Sequence, residues 1–208
     1  MIYDFSQICK TYSKNKYSSR EYFSSTQCPV CPAIGRFNLH GSYSRHIIFF
    51  NNGKLVHLLM EIKRVKCVSC KSTHAVMPGD IIPYRLLSLF VFIFILVHYY
   101  LKKTPALKIA DMHGFSFQYV YSSLHTFKAY LNDIRQYIRE VSPSFAKSTI
   151  EVQDVLKFIQ NSRSKFQSGY INLNRKACFM CRFRYKNGGP ATGIFTAMLP
   201  LQGQQHSL

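Results

Sequence analysis

Two short motifs, Cys28-Pro29-Val30-Cys31 and Cys67-Val68-Ser69-Cys70, stand 35 residues apart and constrain this chain more than anything else in it. A Cys-x-x-Cys turn presents two thiolates on one side. Two such turns can therefore close a tetrahedron around one Zn²⁺. The sequence thus predicts one structural zinc ion on Cys28, Cys31, Cys67 and Cys70. Four thiolates leave no open coordination position for a water nucleophile, so no catalytic residue and no enzyme activity is expected. Redox chemistry would instead place one pair at the start of a helix in a βαβ unit, and no such pattern surrounds either pair. His40, His46 and His74 lie close enough in sequence to substitute as ligands, but read better as surface or hydrogen-bonding histidines.

The stretch between the pairs is strand-like over residues 36–50 and 54–66, with Asn51-Asn52-Gly53 between them. Asn-Gly joining two β-rich runs signals a hairpin, because both residues tolerate the positive φ of a tight turn. The expected fold class is α+β: a small N-terminal zinc ribbon, made of an antiparallel hairpin with two Cys-x-x-Cys knuckles, then an all-α bundle containing a helix-turn-helix, then a loosely ordered basic tail. The expected divisions are a lead-in at 1–26 with a short helix around 2–12, the ribbon at 27–77, a helical domain at 78–141, a further helix within 142–162, and the tail at 163–208.

Residues 86–101 are apolar except for Ser88 and His98. As a helix they rise about 24 Å, short of the ~30 Å hydrocarbon core, so a buried helix is expected. A membrane span there is the alternative, with Arg85, Lys102 and Lys103 at the interfaces. Thr104 and Pro105 open a second helix that His113-Gly114 closes, and Ser116 can cap a third that runs to about Glu140. Ala110, Gly114 and Val120 have helix-turn-helix offsets. Phe117, Val120, Leu124, Phe127, Leu131, Ile134 and Ile138 form a seam suited to a homodimer through the 117–138 helix. Ser148-Thr149-Ile150-Glu151 is a capping box for one more helix. Beyond Asp154 there is no acidic residue, which predicts the basic tail. Cys178 and Cys181 form a third pair lacking a partner pair, and Cys9 reads as packing.

Lysine and arginine total 27 against 9 acidic residues, a formal charge of +18, which points to a polyanionic partner. Double-stranded DNA is the expected one, with RNA as the alternative. Arg36, Arg45, Lys63, Arg64 and Lys66 would grip phosphates, while Ser116, Gln118, Tyr119 and Ser122 at the front of the third helix would reach base edges. The first residues show no basic region followed by a long apolar run, so a cytoplasmic protein is expected.

The stretches His40-Gly41-Ser42-Tyr43-Ser44-Arg45 and Ile62-Lys63-Arg64-Val65-Lys66-Cys67, together with Met77-Pro78 and Pro83-Tyr84, resemble the N-terminal zinc-ribbon region of transposase-like proteins of bacterial mobile elements. They resemble more closely an uncharacterised family that keeps the ribbon and a helix-turn-helix, over roughly residues 25–135. The resemblance implies DNA binding connected with mobile elements. It does not extend to strand transfer, which needs three carboxylates on a strand-rich core, whereas only Glu140, Glu151 and Asp154 follow the seam. An accessory or regulatory protein, or a truncated element copy, is the implied identity.

Overall fold

The computed structural model describes residues 1–4, 8–10, 12, 17–19, 21–145, 149–162, 164–174 and 178–179. Four strands, β1 (Ile2–Asp4), β2 (Phe37–Asn51), β3 (Lys54–Cys67) and β4 (Thr73–Pro78), form one mixed sheet in the order β1-β4-β3-β2. Among the described residues five α-helices follow: α1 (Leu89–Tyr100), α2 (Ala106–His113), α3 (Phe117–Val141), α4 (Val152–Ser162) and α5 (Ser164–Asn174). Asn52 and Gly53, both at positive φ, turn β2 into β3, and the two strands pair antiparallel from Asn51–Lys54 to Phe37–Cys67.

The class is α+β, but the architecture expected from the sequence is overturned. There is no small ribbon hairpin followed by a separate all-α bundle. The hairpin is extended by β4, antiparallel to β3, and by β1, parallel to β4 with Ile2 opposite Val76 and Tyr3 opposite Met77. The reason lies in strand alternation. Successive side chains point to opposite faces, and both faces of the β3–β4 pair carry apolar residues along part of their length. Val65, Cys67 and Val76 share a cluster with Ile2, Tyr17, Phe23, Cys28 and Phe37. Met60, Ile62 and Met77 share another with Cys9, Ile47, Phe49 and Ile81. Covering two faces recruits the first residues as a strand and as packing, where a lead-in with a short helix was expected.

The far half of the hairpin belongs to the helical core. Ile48 lies in the same cluster as Phe92, Phe127 and Ile134, with Phe50 and Leu55 packed against it. Ile48 also exchanges backbone hydrogen bonds with the segment entering α1: its N–H donates to the Leu86 carbonyl (2.7 Å), and the Ser88 N–H donates to the Ile48 carbonyl (2.9 Å). Ser88 caps α1, accepting from the Val91 N–H. Val91, Phe92, Ile95 and Leu96 of that helix are fully buried. Among the described residues no helix is long and apolar enough to cross a membrane.

The α3 seam is consumed internally. Val120, Leu124, Phe127, Ile134 and Ile138 are buried in the chain's own core, Leu131 packs against it, and Phe117 stays exposed. The loosely ordered tail expected from 163 is corrected as well. Its first part is α5, and Phe166, Tyr170, Cys178 and Phe179 are buried. The Phe179 ring lies tilted against that of Phe92, with centroids 4.4 Å apart. The aromatic residues there outweigh the basic composition, because burying one large ring stabilises by about 1.5–3 kcal/mol. Ser148, Cys181 and the last part of the chain lie outside the described residues.

Candidate metal centre

Two turns carry the four cysteines to the end of the sheet farthest from the hairpin turn. In the first, the Cys28 N–H donates to the Ala33 carbonyl and the Gly35 N–H to the Thr26 carbonyl, both at 2.9 Å. Gly35 has φ +67°, and a Cβ there would stand 2.5 Å from the backbone oxygen of Ser24, so only glycine closes this turn. In the second, the Cys67 N–H donates to the Ser72 carbonyl (2.9 Å) and the Lys71 N–H to the Cys67 carbonyl (3.0 Å). A bond from the Val68 N–H to the Arg36 carbonyl (2.9 Å) ties the second turn to the strand that leaves the first.

The four cysteine sulfurs lie within 4.8 Å of one another. Cys28 Sγ is 3.7 Å from Cys70 Sγ, and Cys31 Sγ is 3.7 Å from Cys67 Sγ. All four are free thiols. The two measured separations share no atom, as opposite edges of a tetrahedron do. A metal bound at about 2.3 Å by four sulfurs requires edges of about 3.8 Å. The geometry therefore fits a tetrahedral metal ion.

The electrostatics favour thiolates on the second turn. The Ser72 side chain and then the Ser72 amide pull Cys70 down to about 6. The Cys70 and Ser69 amides lower Cys67, with loss of solvent opposing them. At Cys31 the Ala33 amide also pulls downward, but loss of solvent and the neighbouring thiols outweigh it and carry the thiol up to about 11. Amides aimed at sulfur stabilise the charged form, which is the form that ligates metal.

His74, weighed in the sequence only as a substitute ligand, sits beside the cluster. It is buried, its Nε2 is 3.4 Å from Cys28 Sγ, and its ring stands edge-on to Phe37. Four sulfurs already complete a tetrahedron, so the histidine is placed to hydrogen-bond a ligand sulfur, as groups around metal sites commonly do. His40 and His46 are exposed on β2.

The expected nucleic-acid contacts are not gathered into one patch. Arg36 and Arg64 are exposed, and Lys66, two residues beyond Arg64 on the same face of β3, is half-buried. Lys63 pairs with Glu61 at 3.2 Å. Arg45 turns inward: its Nη2 donates to the carbonyls of Ile82 (2.7 Å) and Arg85 (2.5 Å), and burial lowers its pKa. Ser116 and Gln118 are exposed at the front of α3, Tyr119 is half-buried, and exposed Ser122 accepts from Arg85 Nη1 at 3.2 Å.

Arg85 is the residue that sequence reasoning undervalued, having placed it only as a flank of a possible span. Its guanidinium also donates to Thr126 Oγ1 and to the Phe179 carbonyl and lies over the Phe92 ring, joining three segments. A lone arginine between Pro83-Tyr84 and an apolar run carries no periodicity that would announce this.

Fold and site together define an α+β protein with a four-cysteine centre at one end of its sheet. Residues 28–104 match a family model described as a domain of unknown function, DUF6431, a stretch that begins at the first clustered cysteine and ends between α1 and α2. No curated protein and no solved structure matches the chain.

Proposed function

We propose that this chain is a zinc-dependent, non-enzymatic protein that binds double-stranded DNA. The four-sulfur tetrahedron carries the reading: its 3.7 Å edges suit one Zn²⁺, and it secures the end of the sheet that displays Arg36, Arg64 and Lys66. These three supply the phosphate contacts. Arg45 is left out of the duplex contacts because its guanidinium is drawn inward from the outer surface, its Nη2 donating to the Ile82 and Arg85 carbonyls.

The second contact surface is the front of α3. Three residues, Gly114 to Ser116, separate α2 from α3, while Ala110 of α2 and Val120 of α3 are both buried in the same cluster. This supports reading the pair as a helix-turn-helix, with Ser116, Gln118 and Ser122 toward the groove. The surplus of 18 positive charges and the resemblance to the DNA-binding region of mobile-element proteins favour the same conclusion.

Anisotropy titration of zinc-loaded protein against labelled duplex at two salt concentrations tests the proposal. Three phosphate contacts give a slope of log K against log salt near −2.7, since each neutralised phosphate contributes about −0.9. Absent or salt-independent binding overturns the DNA reading. Metal analysis returning no zinc, or far from one equivalent per chain, overturns the zinc.

A further inference from the structure

A cleft of about 500 Å³ opens between the sheet and the segment that leads into α1. Tyr43 and Arg45 of β2, Arg64 of β3 and Thr73 of β4 line one side, and Tyr84 and Arg85 the other. Among the described residues no aspartate or glutamate lines it. Its volume falls within the range of small-molecule sites, about 300–1,000 Å³.

Arg45 sets the chemistry of this space. Its guanidinium is partly buried, and its partners, the Ile82 and Arg85 carbonyls on Nη2 and the Met77 sulfur 4.0 Å from Nη1, are uncharged. Among the described residues no carboxylate pairs with it. A cation withdrawn from water without a countercharge is costly, and the cost falls when an anion enters. Arg64 adds a second, exposed guanidinium at the rim, with no acidic partner among the described residues. Guanidinium forks recognise phosphate oxygens in pairs, which favours a phosphate over a monovalent halide.

The remaining lining favours a flat ring beside that phosphate. Tyr84 is 51% exposed although φ is +60°, a conformation costly for a bulky side chain and concentrated at binding sites. Tyr43 is also exposed, on the opposite wall. Tyrosine rings held open to solvent beside a cationic groove are the arrangement by which unpaired bases are stacked.

We propose that this cleft binds a nucleoside phosphate, with the phosphate on Arg45 and Arg64 and the base against Tyr84. The inference goes beyond duplex binding, since a base inside a duplex cannot enter such a cleft. The occupant is either a free nucleotide or one unpaired nucleotide of a strand.

Calorimetric titration of the zinc-loaded full chain with adenosine monophosphate tests it, with adenosine and inorganic phosphate as the dissected halves. Saturable binding of the nucleotide is expected, with adenosine giving none and inorganic phosphate binding about tenfold more weakly for want of stacking. Arg64→Gln and Tyr84→Ala replace exposed groups and so spare the fold. Each is expected to weaken the nucleotide about tenfold while leaving zinc content and the far-ultraviolet spectrum unchanged. Competition by a single-stranded oligonucleotide identifies a strand as the source, and its failure to compete identifies the free nucleotide. No nucleotide binding, equal binding of adenosine, or indifference to both substitutions overturns the proposal. Loss of duplex binding with nucleotide binding intact removes only the duplex reading.

Discussion

Asp80 is a carboxylate in an apolar setting, 5% exposed beside Cys9 and Ile81, and its Oδ1 accepts the Cys9 N–H at 2.8 Å. Burial raises its pKa above the ordinary carboxylate range. The folded chain therefore keeps this proton to higher pH than the unfolded chain, whose aspartates titrate near about 3.9. Its contribution to stability is complete below that value and is lost as pH climbs through the raised native one. Asp80→Asn keeps an acceptor for the Cys9 amide and abolishes the titration. Urea unfolding across the acid-to-neutral range is expected to show a wild-type decline that the variant lacks, with the variant at least as stable at neutral pH; parallel profiles would refute the assignment. Arg45 permits a second comparison. One nitrogen of its rigid planar group, Nη2, donates to two carbonyls, a placement that the shorter-reaching, strongly hydrated ammonium on a flexible lysine stem does not reproduce. Arg45→Lys is expected to lower stability by about 1.5–3 kcal/mol, the worth of a hydrogen bond from a charged group, read from the denaturant midpoint. The sequence showed Arg45 as a cation in a basic stretch, and so as a phosphate contact. Which carbonyls would meet it depended on a segment 37 residues away, which no local pattern reveals.

Two glycines separate strain from obstruction at the level of single turns. Gly53 has φ +76° with open space where a Cβ would go, while Gly35 has φ +67° and a backbone oxygen 2.5 Å from that position. Gly53→Ala should cost about 1 kcal/mol, the ordinary penalty of a left-handed alanine. Gly35→Ala must also displace the backbone at Ser24, so it should cost clearly more and weaken metal retention in competition with a chelator. Equal effects on both properties would show that the first cysteine turn is not built on that close approach. These turns also mark what was legible. Asn52-Gly53 and the two Cys-x-x-Cys motifs are local signals, and the hairpin turn and sulfur cluster stand where those signals place them. The strands β1 and β4 were not legible, because three and six residues give too little alternation to register against their neighbours. Helix α5 was hidden for another reason. Its sequence scatters Phe166, Tyr170, Ile171 and Leu173 among polar residues and a glycine, and its order comes from Phe166 and Tyr170 meeting Tyr137 and Phe179, contacts visible only in three dimensions.

The whole molecule is organised along the hairpin, with different forces at its two ends. At one end Cys28 and Cys67 lie in the cluster with Tyr17, Phe23 and Phe37, which assembles short segments that bury little surface alone. At the other, Ile48 enters the large buried cluster drawn mainly from the helices, and none of the four clustered cysteines belongs to it. From Phe37 to Ile48 the strand runs about 37 Å at 3.4 Å per residue. Metal binding supplies folding free energy only to the parts that converge on the ligands. Chelation should therefore act unevenly. Amide exchange in metal-stripped protein is expected to accelerate in both cysteine turns, β1 and β4, while amides of α1 and α3 keep most of their protection. The helical signal at 222 nm should fall little, and returning one equivalent of Zn²⁺ should restore the protected turns. A uniform loss of protection, with the helical signal collapsing in the same step, would mean instead that the cysteine end and the helical core fold as one cooperative unit through the hairpin that joins them.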